Sequence, residues 1–179
     1  MRDKNIHGGG SKTTQNGLLF ERETDLLTSL DEIEYLQVIG SKVFFQSKEV
    51  ALVTEKFQFY KSFLNPLGVD EKKLLSKKLL PDSVVVNFVS REVFVIEKKF
   101  QEGAGSVDEK LQTCDLKLKQ YQKLLAETEF VPSFIFLLND WYSKPEYDDV
   151  KNYIRSVGCY YFIDELPLKS IKLDFDSLY

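Results

Sequence analysis

A chain of 179 residues, 43% hydrophobic and 29% charged, is the length of one domain with a single buried core. Its 24 Lys and Arg against 28 Asp and Glu leave a net charge of −4, which excludes a uniformly basic nucleic-acid coat but not a local basic cleft. No run approaches the roughly 18 apolar residues of a membrane span, and MRDKNIHGGG lacks a signal peptide's apolar stretch. Two cysteines, Cys114 and Cys159, are too few for a disulfide framework or a cysteine zinc site, so a cytosolic protein is expected.

In chain order, residues 1–16 are expected to form a flexible arm and 17–179 one domain. GGGSKT at 8–13 resembles a phosphate loop only superficially, because Ser11 stands where the glycine before Lys12 belongs and no strand precedes it. LLFERETDLLTSLDEIEYL places Leu19, Leu26, Leu27, Leu30 and Ile33 at helical spacing, which predicts an amphipathic helix. KVFFQSK at 42–48 predicts a strand, and 51–67 is ambiguous between strand and helix. Pro66 and Gly68 punctuate it before a lysine-rich helical turn at about 70–79.

PDSVVVNFVSREVFVIEKKF at 81–100 then predicts a buried two-stranded hairpin, followed by the loop QEGAGSV. Leu111, Cys114, Leu118, Tyr121 and Leu125 mark one face of a long helix over 107–125. FVPSFIFLLND at 130–140 predicts a strand, PEYDDVKNYIRSVG a helix that opens on Pro145 and closes on Gly158, and CYYFID a last strand before a short tail. This order predicts an α/β sandwich with a central mixed sheet flanked by helices, antiparallel at the hairpin and parallel at the helical crossovers.

Charges crowd the mouth of the hairpin. A turn centred on Ser90-Arg91 pairs Val89 with Glu92 or Phe88 with Val93, setting Lys99 opposite Asp82 and Glu97 opposite Val84. Alternation puts Asp82, Glu97 and Lys99 on the face that carries Val84, Val86, Phe88, Val93 and Val95, while Lys98 points away. Two converging carboxylates repel unless a cation or a shared proton compensates them. Oxygen-only ligands suit a hard ion such as Mg²⁺ beside phosphate, and a neighbouring ammonium can orient the attacking water; together these hydrolyse phosphodiesters. The bland alternative is a surface ion pair at a strand end, worth about 0–1 kcal/mol.

The pairing of Pro81-Asp82 with Glu97-Lys98-Lys99 resembles the motif of the PD-(D/E)XK nuclease superfamily. The resemblance implies a restriction-endonuclease-like fold of helix, three-stranded meander, helix and further strand, with the motif on the second and third strands. It extends over roughly residues 17–140. Gly17 and Glu21 stand at the spacing of the Gly-x-x-x-Glu that many members carry on the first helix, which implies Glu21 as a further metal ligand; Glu23 and Asp25 are alternatives. Gln112 looks like the polar residue some members project to the site from the following helix; a solvent-facing glutamine is equally compatible with the sequence. GGGSKTTQNGLLFERETDLL with FVIEKKFQEGAGSVDEKLQT further resembles small type II restriction endonucleases. For that group the resemblance implies Mg²⁺-dependent cleavage of double-stranded DNA at a short sequence by a homodimer, with a methyltransferase gene as genetic partner. Asp82 and Glu97 are then expected to ligate metal, and Lys99 to orient or activate water.

The rest of the chain narrows the chemistry. The one histidine, His7, lies in the arm, so paired-His, HExxH and Ser-His or Cys-His systems lack their parts. Asn139-Asp140-Trp141-Tyr142 and QEGAGSVDEK are candidates for DNA contact or for ordinary connections, and the lysines of 71–80, Lys98/Lys99 and Lys117/Lys119/Lys123 for a basic cleft or solvated faces. A structure-specific repair or recombination nuclease would share this site but prefer branched DNA; a non-catalytic binding module would bind no divalent ion.

Overall fold

The computed structural model describes residues 17–19, 26–102 and 107–175. The expected flexible arm at 1–16, with His7 and the GGGSKT stretch, lies outside them. Apolar β-branched and aromatic runs build a seven-stranded mixed sheet. In spatial order it contains β2 (Leu36–Ile39), β3 (Lys42–Phe45), β4 (Lys48–Thr54), β5 (Ser83–Asn87), β6 (Glu92–Lys99), β7 (Val131–Leu138) and β8 (Tyr160–Ile163). The pairs from β2 through β6 are antiparallel, whereas β6–β7 and β7–β8 are parallel. Parallel neighbours require crossovers. α4 (Val107–Leu111) with α5 (Cys114–Leu125) supplies the first, and α6 (Asp148–Ser156) the second. The expected mixed α/β sheet flanked by helices is therefore present.

Each sheet face covers its own core. On one face Val84, Val86, Val93, Val95, Phe134, Phe136 and Leu138 pack against Leu118, Tyr121 and Leu125 of α5, and against Phe59, Phe63 and Leu64 of a helical segment, α2 (Lys56–Phe59), that runs on as a π-turn over Tyr60–Leu64. On the other, Val85, Phe94, Ile96, Ile135 and Leu137 meet Leu26 and Leu30 of α1 (Leu26–Asp31) and Leu168, Ile171 and Leu173 of the C-terminal segment. The five positions expected on the buried face of the 107–125 helix are all buried. Cys114 and Cys159 are buried free thiols.

Several local expectations are corrected. Among the described residues, the helix expected from residue 18 to 36 is present as α1 alone. Residues 17–19 form a strand, β1, that pairs with β9 (Glu165–Pro167), because a distant strand supplies backbone partners that outweigh a helical periodicity. β9 belongs to the segment expected as a mere tail. The ambiguous stretch 51–67 divides into strand up to Thr54 and helix from Lys56. The helical turn at 70–79 shrinks to α3 (Glu71–Leu74), capped by Asp70 accepting from Lys72 N–H. The long helix is broken at Gln112-Thr113 into α4 and α5.

The hairpin register also differs. Val84 faces Val95 and Ser83 faces Ile96, two residues from the expected pairing, so one further step sets Asp82 beside Glu97 rather than Lys99. The cause is Asn87. Its fully buried side chain accepts from Val89 N–H and Ser90 N–H at 2.9 Å and donates to the Ile171 and Lys172 carbonyls. The turn thereby takes in all of 88–91, with Arg91 at φ 57°. A slip of two residues keeps every side chain on its expected face.

Candidate active site at the mouth of the hairpin

Asp82 is positioned by the backbone before it. Pro81 is buried, and its carbonyl accepts from Lys56 N–H at 2.9 Å. Two residues earlier, the Tyr60 hydroxyl donates to the Leu79 carbonyl at 2.7 Å and accepts from Leu79 N–H at 3.0 Å. Burial, partly offset by the Leu79 bond, pushes the Tyr60 phenol up to about 12, so the hydroxyl stays protonated and keeps donating. Asp82 Oδ2 accepts from Lys98 N–H at 3.0 Å, a side-chain bond that continues the β5–β6 ladder past its last backbone pair. Asp82 is thus fixed at one oxygen while its carboxylate remains part-exposed.

Glu97 and Lys99 stand two residues apart at the C-terminal end of β6, beside Phe136 and Leu138 of the parallel strand β7. Crevices outside the carboxyl ends of parallel strands are where open α/β sheets bind ligands. Glu97 is 7% exposed, so its charge must be paired. Lys99 Nζ lies 2.9 Å from Glu97 Oε2, 3.7 Å from Asp82 Oδ2 and 3.1 Å from the Lys98 carbonyl. The structure therefore brings Asp82, Glu97 and Lys99 together on one face at one end of the sheet.

A fourth residue joins them. Lys117 of α5 reaches across from the helix layer and places its Nζ 3.0 Å from the same Glu97 Oε2. The sequence grouped Lys117 with Lys119 and Lys123 as a possible basic patch, whereas Lys119 pairs with Asp115 one helical turn away. A signal for Lys117 was present. It falls on the buried stripe of Cys114, Leu118 and Tyr121, where a lysine is out of place unless it meets an acid. Tyr121, on that stripe, is 1% exposed; burial, reinforced by the fields of Glu97, Tyr60 and Asp82, raises its phenol far above the usual range, so it remains neutral beneath the charged cluster.

The other expected site residues are placed as follows. Glu21 and its alternatives Glu23 and Asp25 lie outside the described residues. Gln112 is exposed at the break between α4 and α5 and lines a groove of about 580 Å³ with Glu146, Tyr147, Asp149, Val150 and Tyr153. Asn139 does more than close a turn. Its side chain accepts from Gln101 N–H at 3.0 Å and donates to the Gln101 carbonyl at 2.8 Å, tying the chain beyond Lys99 to the end of β7. Trp141 and Tyr142 pack as aromatics: the indole N–H donates to the Tyr147 hydroxyl at 2.7 Å, and the Tyr142 and Tyr147 rings lie 4.9 Å apart.

The oxygens around the Lys99 ammonium, from two carboxylates and one carbonyl, form a donor set that fits a hard divalent ion such as Mg²⁺. Such an ion retains several waters and needs only one or two protein carboxylates when phosphate completes its shell. Among the described residues no group of three or more His, Cys, Asp or Glu is placed to hold a metal. No helix of the described residues is long and apolar enough to cross a membrane. No protein-family model, curated protein sequence or solved structure matches the chain.

Proposed function

We propose that this protein is a divalent-ion-dependent nuclease of the PD-(D/E)XK type, hydrolysing phosphodiester bonds of double-stranded DNA. The observation that carries the reading is the meeting of Asp82, Glu97 and Lys99, with one ammonium within 3.7 Å of an oxygen of each carboxylate. In this account Asp82 and Glu97 would hold Mg²⁺, with Glu21 as the further ligand that the resemblance implies. The bound ion would supply neutralisation of the charge that builds on the phosphoryl oxygens. Lys99 would donate to the attacking water and so leave that water's lone pair to turn toward phosphorus. Gln112 is proposed to contact substrate from the groove it shares with Glu146, Tyr147 and Tyr153. The restriction-endonuclease-like fold is what the superfamily resemblance implies, and action at a short specific sequence by a homodimer is what the resemblance to small type II restriction endonucleases implies.

Incubating the purified chain with supercoiled plasmid and Mg²⁺ is expected to give discrete fragments, whose mapped ends define the sequence cut. Asp82→Asn, which keeps the side chain's shape and removes its charge, is expected to lower the cleavage rate at least about a hundredfold. Cleavage by this variant at the parent's rate would overturn the assignment. Faster cutting of flaps or junctions than of intact duplex would move the substrate to branched DNA.

A further inference from the structure

We infer that Lys117 is an exchangeable counter-ion: it occupies Glu97 while the site is empty of metal and transfers to a substrate phosphate when a divalent ion takes that carboxylate. The inference rests on the nuclease reading above and adds a residue that its motif does not contain.

The argument begins with one atom. Glu97 Oε2 accepts from two ammoniums at once, Lys99 at 2.9 Å and Lys117 at 3.0 Å. Two like charges on one oxygen repel, and the arrangement persists because a nearly buried carboxylate costs more without a counter-charge than with two. With Asp82 included, the cluster of two carboxylates and two ammoniums sums to zero. A divalent ion added to it raises the sum to +2. One phosphodiester contributes one compensating negative charge and a hydroxide nucleophile the other. Counting these four side chains alone, the cluster is balanced either with no metal and no substrate, or with both, and is out of balance with the metal alone.

The two lysines are not equivalent in that exchange. Lys99 has contacts beyond Glu97, the Lys98 carbonyl at 3.1 Å and Asp82 Oδ2 at 3.7 Å, and Asp82 has its other oxygen to offer an ion while Oδ2 keeps Lys99. Lys117 has Glu97 and the face of Phe134, with its Nζ 5.7 Å from the ring centroid. Its side chain is the more exposed of the two, 28% against 17%, and hangs from a helix by a flexible four-carbon stem. Lys117 is therefore the cation that leaves. It is released beside the edge where a phosphate would share the ion, so metal and substrate bind cooperatively while metal alone binds weakly.

The test uses Mn²⁺ as probe, by calorimetry without DNA, together with duplex binding by anisotropy in Ca²⁺ and plasmid cleavage in Mg²⁺. Lys117→Gln removes the competing charge and is expected to bind Mn²⁺ about tenfold tighter without DNA, yet to bind duplex about tenfold more weakly. Its cleavage at saturating metal is expected to fall at least about tenfold. A merely structural lysine would not move the two affinities in opposite directions. Lys117→Arg keeps the charge and is expected to restore both affinities to within about threefold of the parent's, a readout that survives if the glutamine variant folds poorly. Unchanged or weaker Mn²⁺ binding by Lys117→Gln, in a parent that binds Mn²⁺ and cuts DNA, overturns the exchange alone. A parent that neither binds Mn²⁺ nor cuts DNA overturns the nuclease reading and this inference with it.

Discussion

Replacing Lys99 with methionine is expected to reduce Mg²⁺-dependent plasmid cleavage by about 10²–10⁴-fold, the range for removing a positioned proton-transfer or electrostatic group. Methionine preserves most of the stem, so packing against the sheet end survives and only the ammonium is lost. Glu97 keeps Lys117 at 3.0 Å and Asp82 keeps the Lys98 N–H at 3.0 Å, so neither carboxylate is left uncompensated. The melting temperature is therefore expected to shift by only a few degrees. Single-turnover cleavage beside a thermal melt separates the two effects. A folded Lys99→Met protein that cuts within threefold of the parent's rate would remove Lys99 from the chemistry.

Phe134→Ala is expected to cost about 3–5 kcal/mol of stability, read as a lower urea midpoint at unchanged slope. Phe134 is fully buried on β7, between β6 and β8, where the sheet cannot close over a lost ring. Its ring lies 6.4 Å from Tyr121 of α5 and 5.1 Å from Phe136, and Lys117 Nζ sits over it at 5.7 Å. The ring is thus the floor on which α5 carries Lys117 to Glu97, and activity is expected to fall with stability. A cost below about 1 kcal/mol would mean that α5 does not rest on β7 in this way.

What the sequence made legible follows from range. The hairpin, the strand at 131–138 and the buried stripe of the 107–125 helix are local patterns, written in apolar periodicity and bounded by turn residues. The shared face of Asp82, Glu97 and Lys99 was legible for the same reason: alternation along a strand survives a register slip of two. The register itself was not legible, because it depends on Asn87 bonding both to the turn and to carbonyls 84 and 85 residues away. Residues 17–19 were misassigned because their strand partner lies at 165–167, beyond any local window. Lys117 shows the intermediate case. Its place on an apolar stripe was visible, but the acid that makes sense of it comes from another layer of the fold.

The account depends on two carboxylates and an ammonium converging on one divalent ion. Mn²⁺ titrated into the protein with duplex DNA, and followed by the electron paramagnetic resonance signal of the free ion, reports that convergence directly. The parent is expected to take up Mn²⁺, and the folded double variant Asp82→Asn, Glu97→Gln to leave it in solution. Equal uptake by the two proteins, or none by the parent, would contradict the account.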